Sequence, residues 1–101
     1  MINWLEIKIP EIINKKWNNP IIHIASEIEY WDKLKAKLKE EVEEYFKEEN
    51  TDELADIIEV IDAIKEFKKI NNNELSVIKG KKYFERGGFE DRIILDEVRD
   101  E

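Results

Sequence analysis

The chain has no cysteine, one histidine, three glycines and two prolines in 101 residues. Without cysteine there is no disulfide, no zinc–thiolate centre and no thiol nucleophile. A lone histidine, His23, has no matching Cys, His or Asp spacing around it, so it is assigned no role. Two adjacent glycines, Gly87 and Gly88, without a strand–loop–helix context are not a P-loop. No apolar run approaches the length of a membrane span, and the N-terminus carries no apolar signal core. A cytoplasmic location is therefore expected. Basic residues are also in deficit, 17 against 25 acidic ones, for a net charge of −8. Such a chain has no general attraction for a nucleic-acid polymer or an anionic membrane. An anionic ligand would need local cations or a metal.

What is present is charge on a helical frame. Charged and hydrophobic residues each make up 42% of the chain, enough apolar content for a modest core in one domain spanning residues 1–101. Ile7-Lys8-Ile9 alternates and reads as a short extended piece. Pro10 opens a short helix that runs to Trp17 and stops at Asn18-Asn19-Pro20. Lys15 and Lys16 on it read as ordinary solvated surface. Ile21 to Ala25 is β-branched and suits a short strand, with Ile93 to Leu95 a candidate partner. Ser26 with Glu29 is a capping box that starts a helix ending near Phe46 or Lys47. A second long helix runs from Thr51 to Lys69, and Asn71-Asn72-Asn73 breaks it. Asn73 can cap a last helix through Arg86, with Gly87 as a left-handed cap and Gly80 interrupting its propensity. The predicted fold is mainly α: an antiparallel helix hairpin, two shorter helices and minor extended segments.

The hairpin carries the chemistry. Glu41 and Glu44 are three apart on the first long helix, and Glu53 and Asp56 are three apart on the second. That spacing puts each pair on one helix face. A connection of a few residues with its apex near Glu48 and Glu49 makes the helices antiparallel. Glu44 then comes opposite Glu53, and Glu41 opposite Asp56. The apolar stripes are Trp31, Leu34, Leu38, Val42 and Tyr45 on one helix, and Leu54, Ile57, Ile61 and Ile64 with Val60 beside them on the other. Glu41 borders the first stripe and Glu53 falls inside the second. Carboxylates in a core-facing sector need a partner or a metal, because burying a charge alone is costly. Hard oxygen donors with room for water suit Mg²⁺, or Mn²⁺ in its place. A solvated acidic face competes with this reading, as does a helix cap in which Asn50 engages Glu53 locally. Lys37, four residues before Glu41, is an ordinary helix neighbour of it and lies on the side where it could touch a phosphate. Lys79, Lys81, Lys82 and Arg86 form the densest basic cluster, open to either a phosphate or solvent.

LKEEVEE followed by DELADIIEVIDAI resembles the all-α, MazG-like nucleotide pyrophosphohydrolases, whose signature is Glu-x-x-Glu on one helix and Glu-x-x-Asp on the next. IKIPEIINKKWNNPI and KKYFERGGFEDRIIL on either side make the chain similar to their small, phosphoribosyl-ATP pyrophosphohydrolase-like branch. The resemblance implies Mg²⁺-dependent hydrolysis of a nucleoside triphosphate or related nucleotide to the monophosphate and pyrophosphate, removing noncanonical nucleotides. It implies metal ligands Glu41, Glu44, Glu53 and Asp56, with Glu41 orienting or deprotonating the water, and phosphate contacts from Lys81, Lys82 and Arg86. It also implies a homodimer or homotetramer, which apolar residues on more than one helix face support independently. Glu6 and Ile7 stand where the branch carries Arg-Asp. That departure motivates an alternative, a catalytically inactive helical interaction module of the same fold. A third reading is an acidic regulator of a basic partner protein.

Overall fold

A computed structural model describes residues 21–100, which contain three α-helices and no strand. The Pro10–Trp17 helix and the Glu6-Ile7 departure lie outside the described residues. Helix α1 spans Glu27–Glu48, α2 spans Thr51–Phe67 and α3 spans Asn72–Arg86. The mainly α class is as expected. The extended segments differ: Ile21 to Ala25 and Ile93 to Leu95 form no strand. β-branched composition favours an extended backbone, but a strand also needs a ladder partner, which composition does not supply.

Two compact units make up the chain, one ending at Lys69 and the other beginning at Ile70. The first is the hairpin. Ser26 caps α1, its Oγ accepting from the Glu29 backbone N–H at 3.2 Å. The carboxylate of Glu29 does not return to complete the box; it meets His23 Nε2 at 2.7 Å. At the apex, Glu49 takes a left-handed conformation (φ 49°, ψ 39°) and donates its N–H to the Tyr45 carbonyl at 2.6 Å. The next residue, Asn50, is extended, and its Oδ1 accepts from the Glu53 N–H at 2.9 Å. One left-handed residue followed by one extended residue reverses the chain between two helices. The turn centres on Glu49, as the sequence predicts.

The antiparallel pairing is pinned at the far end by aromatic rings. Phe67, the last residue of α2, meets Tyr30 edge-on at 5.4 Å and stacks on Trp31 at 5.6 Å, close to the start of α1. Lys68 covers the other contact of that ring system, its Nζ 4.2 Å from the Trp31 centroid. Between the two ends, Leu34 and Val60 are the buried apolar residues, 2% and 7% exposed. On α1 the expected stripe is partly or wholly buried throughout. On α2 the stripe is turned from expectation. Val60 faces inward, flanked by half-buried Ile57, Ile64 and Phe67, while Leu54, Ile58 and Ile61 are exposed. This helix is apolar on most of its circumference, so hydrophobicity alone does not fix which third faces its neighbour.

The second unit is α3 and the segment after it. Its cap is Asn71, not Asn73: Asn71 Oδ1 accepts from the N–H groups of Asn73 and Glu74 at 2.7 and 3.4 Å. Three consecutive asparagines are equivalent candidates in sequence, and the first takes the role. Gly80 does not interrupt the helix. Gly87 ends it with φ 77° and ψ 175°, a glycine conformation outside the left-handed helical region expected there. The chain then returns on itself, and the Tyr83 hydroxyl donates to Glu90 Oε1 at 2.8 Å. That bond and Glu90's own backbone N–H, the larger influence, hold the Glu90 carboxyl below its ordinary range. No residue of this unit from Ile70 to Asp100 is buried. Among the described residues, no helix is long and apolar enough to cross a membrane.

Candidate metal centre

The site is built by the two helices near the apex. On α1 the most deeply buried line is Leu34, Lys37 and Glu41, spaced by three and four residues. On α2 the inward line starts at Glu53 and continues through Ile57 and Val60. A short turn fixes the stagger of these lines. It brings one carboxylate oxygen each of Glu41, Glu53 and Asp56 within 4.8 Å of one another.

The three differ in surroundings. Glu41 is 8% exposed and is the floor of the cluster. Glu53 is half-buried and Asp56 exposed, so the cluster opens toward solvent on the α2 side. Glu53 shows the electrostatic cost. Desolvation first, then the charges of Asp56, Glu41, Glu44 and Glu48, push its carboxyl above the ordinary glutamate range. Glu53 sits in the first turn of α2, where the helix dipole favours a negative charge. Repulsion and burial outweigh that dipole here. Asn50 still caps the Glu53 N–H, so capping and clustering are compatible: the backbone serves one and the side chain the other.

Glu44, the fourth expected ligand, does not join the three. Its carboxylate turns to Lys47, 3.4 Å away on the exposed side of α1, and acts on Glu53 only through its charge. Lys37, in sequence a helix neighbour of Glu41 on the side where it could touch a phosphate, is drawn into the hairpin. It is 9% exposed, with Nζ 3.2 Å from Glu41 Oε1 and 3.7 Å from Glu40 Oε1. Glu40 Oε2 is buried and makes no hydrogen bond. Lys81, Lys82 and Arg86 all lie on α3, exposed, in the second unit. Lys81 is 3.9 Å from Glu85, while Lys82 and Arg86 are one turn apart along the helix.

No family model, curated protein or solved structure matches this chain. The chemistry of the cluster must therefore be judged from its own donors. Around an octahedral Mg²⁺, adjacent ligands are about 3 Å apart and only opposite ones reach about 4.2 Å. Three carboxylate oxygens within 4.8 Å of one another are a looser set than that, and side-chain rotation must draw them inward to share one ion. The donors are all hard oxygens, with the open side left for water. The residues fit a small divalent cation.

Glu53 yields a prediction that separates charge from fold. Its carboxyl binds a proton more tightly in the folded chain than in the unfolded one. Folding therefore loses stability as pH rises from the ordinary glutamate range through the raised value, and Glu53 opposes folding at neutral pH. Glu53→Gln should raise the melting temperature in EDTA and at the same time abolish any stabilisation by Mg²⁺. Circular dichroism melts check both; a lower melting temperature in EDTA contradicts the strained cluster.

Proposed function

We propose that this chain is an Mg²⁺-dependent nucleotide pyrophosphohydrolase, cleaving a nucleoside triphosphate or related nucleotide to the monophosphate and pyrophosphate. The observation that carries the reading is the meeting of Glu41, Glu53 and Asp56 across the hairpin. It occurs where the two acidic motifs of the resembled family would place a metal. Glu41, Glu53 and Asp56 would hold the ion, with Glu44 one turn away to take a water ligand. A bound Mg²⁺ or Mn²⁺ would neutralise phosphate oxygens and acidify a water. Glu41, on the floor of the cluster, would orient the attacking water and accept its proton. Lys81, Lys82 and Arg86 would be the phosphate contacts that the resemblance implies, on a helix with four cations, Lys79 included, against two carboxylates. A cytoplasmic location accompanies this reading, since nucleoside triphosphates and Mg²⁺ occur together there.

The protein is also proposed to work as a homodimer or homotetramer. Leu54, Ile58 and Ile61 on α2, and Leu75, Ile78 and Phe84 on α3, are exposed apolar side chains. A helix with no buried residue gains little stability from its own packing, and isolated helices of this length are marginal in water. The same exposure favours the second reading, a helical interaction module without catalysis.

A nucleotide panel with Mg²⁺, noncanonical bases and sugars included, separates the two. The enzyme releases pyrophosphate and monophosphate in equal amounts and stops in EDTA. A module releases none. Arg86→Ala should reduce turnover by about tenfold whatever the base, the low end for a charged donor because Arg86 is exposed. Mg²⁺ stabilisation should be unchanged in that variant. Wild-type turnover in Arg86→Ala removes Arg86 from the substrate site.

A further inference from the structure

Lys37 has no part in the mechanism above, yet it is one of the few buried residues of the hairpin. Lysine is almost never buried unless paired. Here the ammonium sits between two carboxylates of its own helix, 3.2 Å from Glu41 Oε1 and 3.7 Å from Glu40 Oε1. The other oxygen of the same carboxylate, Glu40 Oε2, is buried without a hydrogen bond, so the ion pair with Lys37 is the contact that offsets the Glu40 charge. Glu41 in turn belongs to the three-carboxylate cluster. The positive charge nearest the floor of that cluster is thus covalently attached to the protein.

We propose that Lys37 is a tethered counter-cation: it neutralises Glu41 in the metal-free protein and competes with the divalent cation for that carboxylate. The inference rests on the metal reading above. Two effects of Lys37 on a bound ion oppose each other. Its hydrogen bond orients Glu41, which favours ligation. Its charge, one carboxylate away from a divalent ion in a partly desolvated site, disfavours it. The Coulomb repulsion is the larger, because it acts between one charge and two at short range with little water between them. Lys37 therefore keeps the hairpin folded without metal and lowers metal affinity. An anionic polyphosphate arriving with the metal relieves the competition by drawing the ammonium away from Glu41. Metal and nucleotide then bind more tightly together than either does alone.

The test is a calorimetric titration with MgCl₂ and MnCl₂, alongside melts in EDTA, on wild type, Lys37→Met and Lys37→Arg. Lys37→Met should melt lower in EDTA and bind the metal about tenfold more tightly or better. Lys37→Arg keeps the charge and should stay near wild type in both. Inorganic pyrophosphate should tighten metal binding in wild type and do so less in Lys37→Met. Should Lys37→Met be unfolded in EDTA, saturating Mg²⁺ should fold it; failure to fold with metal overturns the proposal. Equal or weaker metal binding by a folded Lys37→Met, with wild type binding normally, also overturns it and leaves the metal reading standing. No binding by wild type at millimolar metal ends the metal reading and this proposal with it.

Discussion

Under the proposed metal reading, Mg²⁺ and Mn²⁺ should stabilise the wild-type protein, and Glu41→Gln should lose that stabilisation and release no pyrophosphate above background. Glutamine matches glutamate in size, so the packing of the 8%-exposed side chain is kept and only the charge is removed. The cluster then offers two carboxylates, of which one is exposed. A native-state ligand stabilises in proportion to its occupancy, so a lost site appears directly as a lost melting shift. Metal-free stability should also fall, because Lys37 exchanges a carboxylate partner at 3.2 Å for an amide. Weakening a mostly buried ion pair while leaving a hydrogen-bond acceptor costs on the order of 1–3 kcal/mol. Glu41→Gln and Glu53→Gln thus move metal-free stability in opposite directions, yet both lose the metal response. Equal metal shifts in wild type and Glu41→Gln would remove Glu41 from the site.

Leu34→Ala should come close to unfolding the chain. Leu34 is the most buried of the described residues, and among them only Val60 joins it as a buried apolar side chain. Leucine-to-alanine changes at such positions cost about 2.7–5 kcal/mol, growing with the cavity left behind. Domains of this size have roughly 5–15 kcal/mol in total. Each kcal/mol lowers the melting temperature by about 4–8 °C in a chain of 60–100 residues. A fall of more than about 10 °C is therefore expected in scanning calorimetry. A loss below about 1 kcal/mol in urea titration would mean that the burial of Leu34 does not hold the hairpin together.

The hairpin was legible because several independent signals agree. Ser26 and Asn50 are caps by chemistry, the apolar residues recur at helical spacing, and the gap between helices is too short for anything but reversal. The short gap also fixes the stagger, so a convergence of carboxylates across the hairpin is legible, although the sequence sets Glu44 opposite Glu53 and the structure brings Glu41 to Glu53 and Asp56 instead. Elsewhere the signals were degenerate. Asn71, Asn72 and Asn73 are chemically alike, so their sequence does not choose the cap of α3. The apolar sector of α2 is wide, so its pattern does not single out Val60 as the inward residue. The Phe67 contacts with Tyr30 and Trp31 join residues far apart in sequence, and no local pattern announces them. Glu44 was a reasonable fourth ligand by spacing, but its carboxylate has a nearer partner in Lys47. The burial of Lys37 had one sequence signal, its position four residues before Glu41, which also fits any solvated helix pair.

The most direct test of the proposed metal centre is a Mn²⁺ titration of ¹⁵N-labelled protein, followed by paramagnetic loss of backbone amide signals. A specific site at the hairpin should erase the amides around Glu41, Glu53 and Asp56 at low, saturable Mn²⁺, and added Mg²⁺ should restore them by competition. Signal loss spread evenly over every acidic stretch of the chain, or no loss near the apex, would contradict it.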